Sequence, residues 1–186
     1  MRDELFIRGN VPMTKEEIRT ISLAKLNLKG AKTFLDVGTG TGSIALEAAL
    51  HYPKLQVTAI DSNPEALALV EANQKKLGID SINCVLGKAP IVLESTFDAI
   101  FVGGSGGNIR KILEWALNHL KMDGRLVLNF ILIDNAKEAI DWLEENNCLF
   151  DACQVQVGRY QRLGKGHFYK PINPVIIIEA RKEENK

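Results

Sequence analysis

The sequence predicts a doubly wound α/β fold whose seven-stranded sheet is mostly parallel and has an antiparallel C-terminal edge. From residue 33 to about residue 150, short apolar runs alternate with amphipathic helical stretches, as in consecutive β–α units. Glycine clusters follow two of these runs, at strand ends where such sheets bind ligands. The last two apolar runs, 150–157 and 174–180, have no helical stretch between them, so they should pair as an antiparallel hairpin.

Residues 1–28 are predicted to form a cap segment and then a helix. Thr14 and Glu17 have the spacing of a capping box, which predicts that Thr14 caps the start of this helix. One face of the helix then carries Ile18, Ile21, Ala24, Lys25 and Leu28. Because this helix precedes the first strand, its start would cover a ligand pocket and present free backbone N–H groups.

The first β–α unit, residues 33–50, carries the main motif. An apolar strand leads into Gly38, Gly40 and Gly42, and good helix formers follow. Glycines permit positive φ and let a ligand approach the backbone closely. The motif therefore predicts a nucleotide site beyond the strand, with a plain strand-to-helix turn as the alternative.

The spacing of these glycines argues against a dinucleotide as the ligand. A dinucleotide fingerprint, G-x-G-x-x-G, would place its third glycine at Ser43, so the pattern here is instead G-x-G-x-G. Asp36 precedes the first glycine by two residues, and Asp61 ends a predicted second strand over 55–61, where a carboxylate can accept both ribose hydroxyls. The structural alternatives are that Asp36 caps a turn and that Asp61 begins the helix entry over 61–64.

The later elements continue the β–α alternation. A helix over 64–77 stops at Gly78, strands cover 82–86 and 97–102, and a helix covers 108–120. A strand over 125–132 precedes a helix that Asp134 caps and that ends at Asn146. After the strand over 97–102 the chain has four glycines, which either leave room for a broad, flat ligand or simply link strand to helix. They are Gly103, Gly104, Gly106 and Gly107.

Composition narrows the class of protein. The 186 residues suit a single domain, 1–186, and with 23 basic and 23 acidic residues the formal net charge is zero, so no global field attracts nucleic acid or an anionic membrane. No stretch resembles a signal peptide or a membrane span, which predicts a cytoplasmic protein. The 3 cysteines and 3 histidines lack metal-ligand spacing, so no metal site is expected.

Three motifs resemble those of a known enzyme family. D-V-G-T-G-T-G resembles motif I of the class I S-adenosylmethionine-dependent methyltransferases, whose fold is Rossmann-like. Together with F-I-R-G-N-V-P-M-T-K-E-E-I-R and V-G-G-S-G-G, it makes residues 3–181 similar to the T-type precorrin C-15 methyltransferases of cobalamin biosynthesis, which also decarboxylate the C-12 acetate. The proline clamp usual in methyltransferases that act on base or amide nitrogens is missing after the strand over 97–102.

The resemblance implies a cofactor, a substrate and an assembly. S-adenosylmethionine would be bound by Thr14, Gly38, Thr39, Gly40, Thr41, Gly42, Asp61 and Ala89. A precorrin would lie against Gly103, Gly104 and Gly106, and the chain would form a homotetramer through the hairpin over 150–181. The ring carries carboxylates, for which the candidate partners are Arg8, Lys15, Arg19, Arg110, Lys111, Arg159, Arg162 and Lys165. The alternative for each of these residues is a solvated surface charge without a ligand. No motif identifies a catalytic group.

Other functions remain as alternatives. The same fold could methylate tRNA or another small molecule, although zero net charge and the missing clamp argue against tRNA. A nicotinamide-dependent oxidoreductase is opposed by the glycine spacing, and a binding module without catalysis is the third alternative.

Overall fold

The residues that the computed structural model describes, 1–104 and 107–182, form nine strands, seven in one sheet and two in a separate ribbon. The strands are β1 (Thr33–Val37), β2 (Gln56–Asp61), β3 (Ile82–Leu86), β4 (Phe97–Val102), β5 (Leu120–Phe130), β6 (Leu149–Val155), β7 (Gly158–Leu163), β8 (Gly166–Pro171) and β9 (Val175–Arg181). The sheet order is β3-β2-β1-β4-β5-β9-β6, and β9 alone runs antiparallel to its neighbours β5 and β6. The predicted fold is confirmed, with the antiparallel strand one position inside the edge.

Helices cover both faces of the sheet, in two separate hydrophobic cores. The helices of the described residues are α1 (Glu16–Leu26), α2 (Ser43–His51), α3 (Pro64–Leu77), α4 (Ile109–His119) and α5 (Ile133–Glu145), after a 3-10 turn at Asp3–Leu5. Phe34 of β1 packs in the core with α1, α2 and α3, whereas Leu35 packs in the core with α4 and α5. Successive strand residues point to opposite faces, so burial of both faces explains the continuous apolar runs. None of these helices is long and apolar enough to cross a membrane.

The boundaries of α3 agree with the sequence prediction. The Asn63 side chain accepts a hydrogen bond from the Glu65 N–H at 2.9 Å, and Pro64 takes the first helical position. Gly78 ends the helix in the left-handed conformation, with φ of 68°. Local sequence determines this helix because each end has its own signal, Asn63 and Pro64 at the start and Gly78 at the end.

The predicted caps of α1 and α5 are wrong. The residue at the N-cap of α1 is Lys15 and that of α5 is Leu132, and neither helix start has a side-chain cap. At α1 the Thr14 carbonyl accepts a hydrogen bond at 2.6 Å from the guanidinium of Arg19, so a side chain of the helix itself fixes the chain before the helix. Strand β5 ends at Phe130, two residues before the predicted end, so that α5 begins at Ile133 and Asp134 falls inside its first turn.

Residues 158–171, predicted only as a connection, form the ribbon β7–β8. Tyr160 stacks on His167 with ring centroids 4.8 Å apart and meets Tyr169 edge-on at 5.7 Å. Gly164, with φ of 58°, lies in the turn between the two strands. The ribbon is exposed along its length, whereas Ile178 of β9 is fully buried inside the main sheet.

Candidate functional site

The carboxyl ends of β1, β2 and β4 open into a cavity of about 330 Å³, here called the glycine-loop cavity. Parallel strands end at one edge of a sheet, and this edge is the usual ligand site of such folds. The cavity brings together Thr14, Gly38, Thr39, Gly40, Asp61, Ala89, Gly103 and Gly104 from the predicted site, with Val11, Pro12, Ser62, Asn63, Gly87 and Lys88 in addition.

Two glycine segments meet at the centre of this edge. Gly38 has φ of 69°, and a Cβ built on it would lie 2.8 Å from the backbone nitrogen of Gly104. The backbone N–H of Gly103 donates to the Val37 carbonyl at 2.9 Å, which holds the second segment beside the first. A side chain at position 38 would force the segments apart, so this glycine is required by close approach as well as by its φ.

Thr41 and Gly42, also predicted to contact the cofactor, do not line the cavity. A Cβ on Gly42 would lie 2.6 Å from Cγ2 of Val70 in α3, so Gly42 provides room for packing between α2 and α3. Thr41 is fully buried, and its N–H donates to the Pro12 carbonyl at 3.3 Å. In this structure both residues pack against the protein on the side of the glycine loop that faces away from the cavity.

Asp61 fixes the shape of the glycine loop. Its Oδ2 accepts a hydrogen bond from the Gly40 N–H at 2.9 Å, and its Oδ1 accepts one from the Asn63 N–H at 2.9 Å. Each carboxylate oxygen has a further lone pair, and the side chain lies in the cavity wall, so it can accept more hydrogen bonds. Asp61 therefore joins the first loop to the end of β2.

Asp36 is a fully buried carboxyl group that lies directly behind the loop. Its Oδ2 accepts a hydrogen bond from the Thr39 hydroxyl at 2.7 Å, whereas Oδ1 has no hydrogen-bond partner among the described residues. The pKa of Asp36 is raised to about 7, mainly by burial and to a smaller extent by the nearby Asp61 charge, against hydrogen bonds from Thr39 and the Ala45 N–H that lower it. Thr41 Oγ1 is likewise buried without a described partner. Buried polar groups of this kind are uncommon in proteins and call for a specific explanation, such as a catalytic role or an ordered water or ion.

The N-terminal segment is held over the cavity by polar contacts that sequence reasoning missed. The buried Asn73 side chain of α3 accepts from the Ile7 N–H at 2.7 Å and donates to the Ile7 carbonyl at 3.0 Å. Fully buried Arg19 donates from Nε to Glu47 of α2 at 2.5 Å. The prediction that Arg19 binds substrate carboxylates is therefore wrong, because its charge is used inside the protein.

The remaining basic candidates lie outside the cavity wall. Arg8 is exposed, and Lys15 lies near the ribbon, 3.7 Å from Asp3.

Two further basic candidates have acidic partners within the protein: Arg159 is paired with Glu17 at 2.9 Å, and Arg110 makes two hydrogen bonds to Glu145. Gly106 lies outside the described residues. Within the described part of the chain, no three His, Cys, Asp or Glu side chains group in a way that could hold a metal ion.

A second cavity of about 360 Å³, here called the β5 cavity, shares Gly103 and Gly104 with the first. Its other lining residues come from the carboxyl end of β5, the connection to α5, the first turn of α5 and the segment before α4: Asn129, Phe130, Ile131, Leu132, Asn135 and Gly107. No charged side chain is among them. Sequence reasoning missed this cavity because it treated residues 131 and 132 as part of the strand.

Comparison with known proteins gives consistent results. Residues 4–182 match the family model described as a precorrin methyltransferase domain. The chain is 47% identical to the cobalt-precorrin-6B C(15)-methyltransferase (decarboxylating) of Salmonella typhimurium, over 100% of this chain and 97% of that protein. Its structure is similar to precorrin-6y C5,15-methyltransferase from Geobacter metallireducens, with a TM-score of 0.90, 30% identity and coverage of 98% and 97% of the two chains.

A more distant solved structure supports the fold assignment alone. The S-adenosylmethionine-dependent O-methyltransferase of Thermotoga maritima superposes with a TM-score of 0.78 at 16% identity, over 96% of this chain and 69% of that one. The fold expected for class I methyltransferases is thereby confirmed.

Proposed function

This chain belongs to the precorrin methyltransferase family, and we propose that it transfers a methyl group from S-adenosylmethionine to C-15 of a precorrin and removes the C-12 acetate carboxyl as CO2. The observation that carries the proposal is the meeting of two glycine segments, at Gly38 and Gly104, between two adjoining cavities. One cavity suits the cofactor and the other suits the ring, so the two reactants would meet where the backbones are closest.

The glycine-loop cavity has the donor and acceptor set that S-adenosylmethionine requires. Asp61 retains acceptor capacity for the ribose hydroxyls, and Ala89, which is buried in the wall after β3, offers an apolar surface to the adenine. The unpartnered Asp36 Oδ1 provides negative potential behind the loop, which favours a cation in front of it. These residues together support the cofactor assignment.

When bound, S-adenosylmethionine supplies a methyl group that is already activated by its positively charged sulfur. The protein must then align this methyl group with the ring carbon, and the two glycine segments, held together by the hydrogen bond from Gly103 to the Val37 carbonyl, would provide that alignment. Decarboxylation breaks the bond between the acetate methylene and its carboxylate, the conjugated ring accepts the electron pair as CO2 leaves, and a proton from solvent then converts the methylene to a methyl group. Positioning and electrostatics are therefore the main contributions of the chain.

The proposed activity is tested by incubating the protein with S-adenosylmethionine and precorrin-6B, with and without cobalt, followed by mass spectrometry. The expected product has gained one methyl group and lost one CO2. Reactions without cofactor and with bulk tRNA as acceptor serve as controls. A methylated product that retains all its carboxyl groups would contradict the decarboxylation, and methyl transfer to tRNA alone would replace the proposal with the alternative.

We also propose a homotetramer built through the C-terminal region. The apolar side chains of Val155, Val157 and Ile176 give this assembly no support, because they are half-buried against the protein's own core. The support comes instead from the ribbon, where Tyr160 and Tyr169 are exposed on a strand pair that needs covering. Light scattering at micromolar concentration should report four chains, and Tyr169→Glu should reduce that mass. A wild-type monomer would refute the assembly.

A reducing cytoplasm is the proposed site of action. Cys84, Cys148 and Cys153 are all free thiols and half-buried. Burial raises the pKa of Cys84 and of Cys148 above its ordinary value, which keeps both thiols protonated and unreactive. Free structural cysteines of this kind are usual in reducing compartments.

A further inference from the structure

We propose that Ile131 and Leu132 form the apolar wall against which the flat face of the precorrin ring packs, opposite the Gly103–Gly104 backbone. The inference rests on the proposed function and deepens it by assigning the ring to the β5 cavity. Both residues line that cavity, and both are largely exposed, at 61% and 63%. Neither position was predicted to contact a ligand from the sequence.

The backbone explains why these side chains are available. Phe130 is the last residue of β5 and is buried in the core that α4 and α5 share. Ile131 and Leu132 follow it outside the sheet, and α5 begins only at Ile133. Two large apolar side chains in succession therefore lie at the carboxyl edge of the sheet, where a ligand rather than the protein can cover them.

Continuity with the glycine-loop cavity identifies the occupant. Gly103 and Gly104 belong to the walls of both cavities, so a ligand in the β5 cavity borders whatever the first cavity binds. Among the described residues, the nearest neighbour of a Cβ on Gly104 would be the Gly38 Cα at 3.9 Å, which leaves room for a ligand above this backbone. A ring placed there would have one edge next to the methyl donor.

The chemistry of the wall suits the face of a conjugated macrocycle. The lining consists of glycines, apolar side chains and the amides Asn129 and Asn135, with no charge among the described residues. Such a surface favours a flat apolar face and offers no counter-ion to a phosphodiester or a carboxylate. The carboxylates at the ring periphery would therefore remain at the rim in water.

Leu132→Asp gives a direct test because it separates substrate binding from folding. Leu132 occupies the N-cap of α5, where aspartate is a favourable residue, so the variant should melt at or above the wild-type temperature. Its charge would face the ring, and the KM for precorrin-6B should rise about ten-fold or more while the Kd for S-adenosylmethionine stays unchanged. Ile131→Asp should act in the same direction.

The matched control is Met122→Asp, at the opposite end of the same strand. Met122 is 46% exposed, so an aspartate is tolerated there and should leave the KM unchanged. Binding of precorrin-6B in the presence of S-adenosylhomocysteine, followed by the visible absorption of the ring, provides a readout apart from turnover. We expect Leu132→Asp to weaken this binding and Met122→Asp to leave it unaltered.

Two outcomes would overturn the inference without touching the proposed function. In the first, wild type and Leu132→Asp methylate precorrin-6B with the same KM. In the second, Leu132→Asp reduces the mass of the assembly while ring binding persists, which would make the wall a contact with a second copy of the chain. A wild-type protein that neither binds nor methylates the ring would instead refute the proposed function and the inference together.

Discussion

Asp36 and Asp98 occupy adjacent strands but opposite ends of the sheet, and they differ in how fully they are satisfied. At the amino end, Asp98 accepts hydrogen bonds from the Lys32 N–H at 2.8 Å, the Thr33 N–H at 2.8 Å and Lys121 Nζ at 2.9 Å. Burial alone would raise the pKa of Asp98, but these donors outweigh it and lower the pKa to about 2. At the carboxyl end, Asp36 has one donor side chain and a pKa of about 7.

The difference indicates that the two ends of the sheet have different roles, stability at the amino end and ligand binding at the carboxyl end. Lys121, on β5, is the counter-ion of Asp98, so the charge of this carboxylate is balanced within the protein. The carboxyl end retains unsatisfied groups and open space beside glycines, which a bound ligand would complete. Substitutions at the amino end should therefore change stability, and substitutions at the carboxyl end should change binding and turnover.

The largest contrast is expected between Gly104→Val and Gly124→Val. A Cβ at Gly104 would come no closer than 3.9 Å to any described atom, so Gly104→Val should fold normally and bind the cofactor, yet methylate no corrinoid because it occupies the place of the ring. A Cβ at Gly124, in the amino-end part of β5, would lie 2.7 Å from the Lys121 carbonyl oxygen. Gly124→Val should lower the free energy of unfolding by about 1 to 3 kcal/mol.

Melting temperature, cofactor affinity and corrinoid methylation are measured on both glycine variants. Normal turnover by a normally melting Gly104→Val would show that this segment does not hold the substrate. A Gly104→Val protein that loses stability and cofactor binding together would make the segment structural.

Asp61→Ala should have the next largest effect, a loss of cofactor affinity. Removal of an ionised acceptor costs roughly 1.5 to 3 kcal/mol, or about 10- to 100-fold in Kd. The Gly40 and Asn63 N–H groups, freed of Asp61, can turn to water because the loop borders an open cavity, so the melting temperature should change little. Calorimetric titration with S-adenosylmethionine gives the Kd, and an unchanged value in the folded variant would remove Asp61 from the site.

Asp98→Asn is the corresponding change at the amino end, and a smaller effect is expected. It weakens the bond to Lys121 and should lower the free energy of unfolding by about 1 to 2 kcal/mol without altering cofactor affinity. Because the folded pKa is depressed, this stabilisation is present above about pH 4 and is lost as the pH falls towards about 2. Urea titrations at several pH values measure it, and weaker cofactor binding would contradict the separation of the two ends.

The sequence predicted those parts of the molecule whose signals are local. Gly78 ends α3 where expected, and Asp61 lies in the cavity because a strand end determines its position. Arg19 was misjudged because its partners lie far away along the chain, on α2 and in the N-terminal segment. The residues next to Arg19 in sequence carry no sign of these distant partners, so a buried arginine and a surface arginine cannot be told apart from the local pattern.

The β5 cavity escaped prediction for a related reason. Ile131 and Leu132 continue the apolar pattern of β5, and periodicity alone cannot tell whether such residues remain in the sheet. The ribbon β7–β8 was missed because its strands are exposed on both faces and lack apolar alternation. In both cases the tertiary environment, rather than local preference, determines the structure.

Proton exchange at Asp36 during cofactor binding is the most direct test of whether a ligand completes the carboxyl end. Between about pH 4 and about pH 7 the folded protein binds more protons at Asp36 than the unfolded chain does, since the folded pKa is raised. A positively charged cofactor favours the ionised carboxylate, so its binding should release protons near pH 7, and its affinity should increase as the pH rises through 7.

Calorimetry of S-adenosylmethionine binding in two buffers of different ionisation enthalpy counts these protons for wild type and for Asp36→Asn, which keeps the acceptor for Thr39. Protonation of the cofactor's own amine is common to both proteins, so their difference reports Asp36. We expect wild type to release more protons than Asp36→Asn and to show the steeper gain in affinity with pH. Equal proton counts and parallel pH profiles would contradict the account.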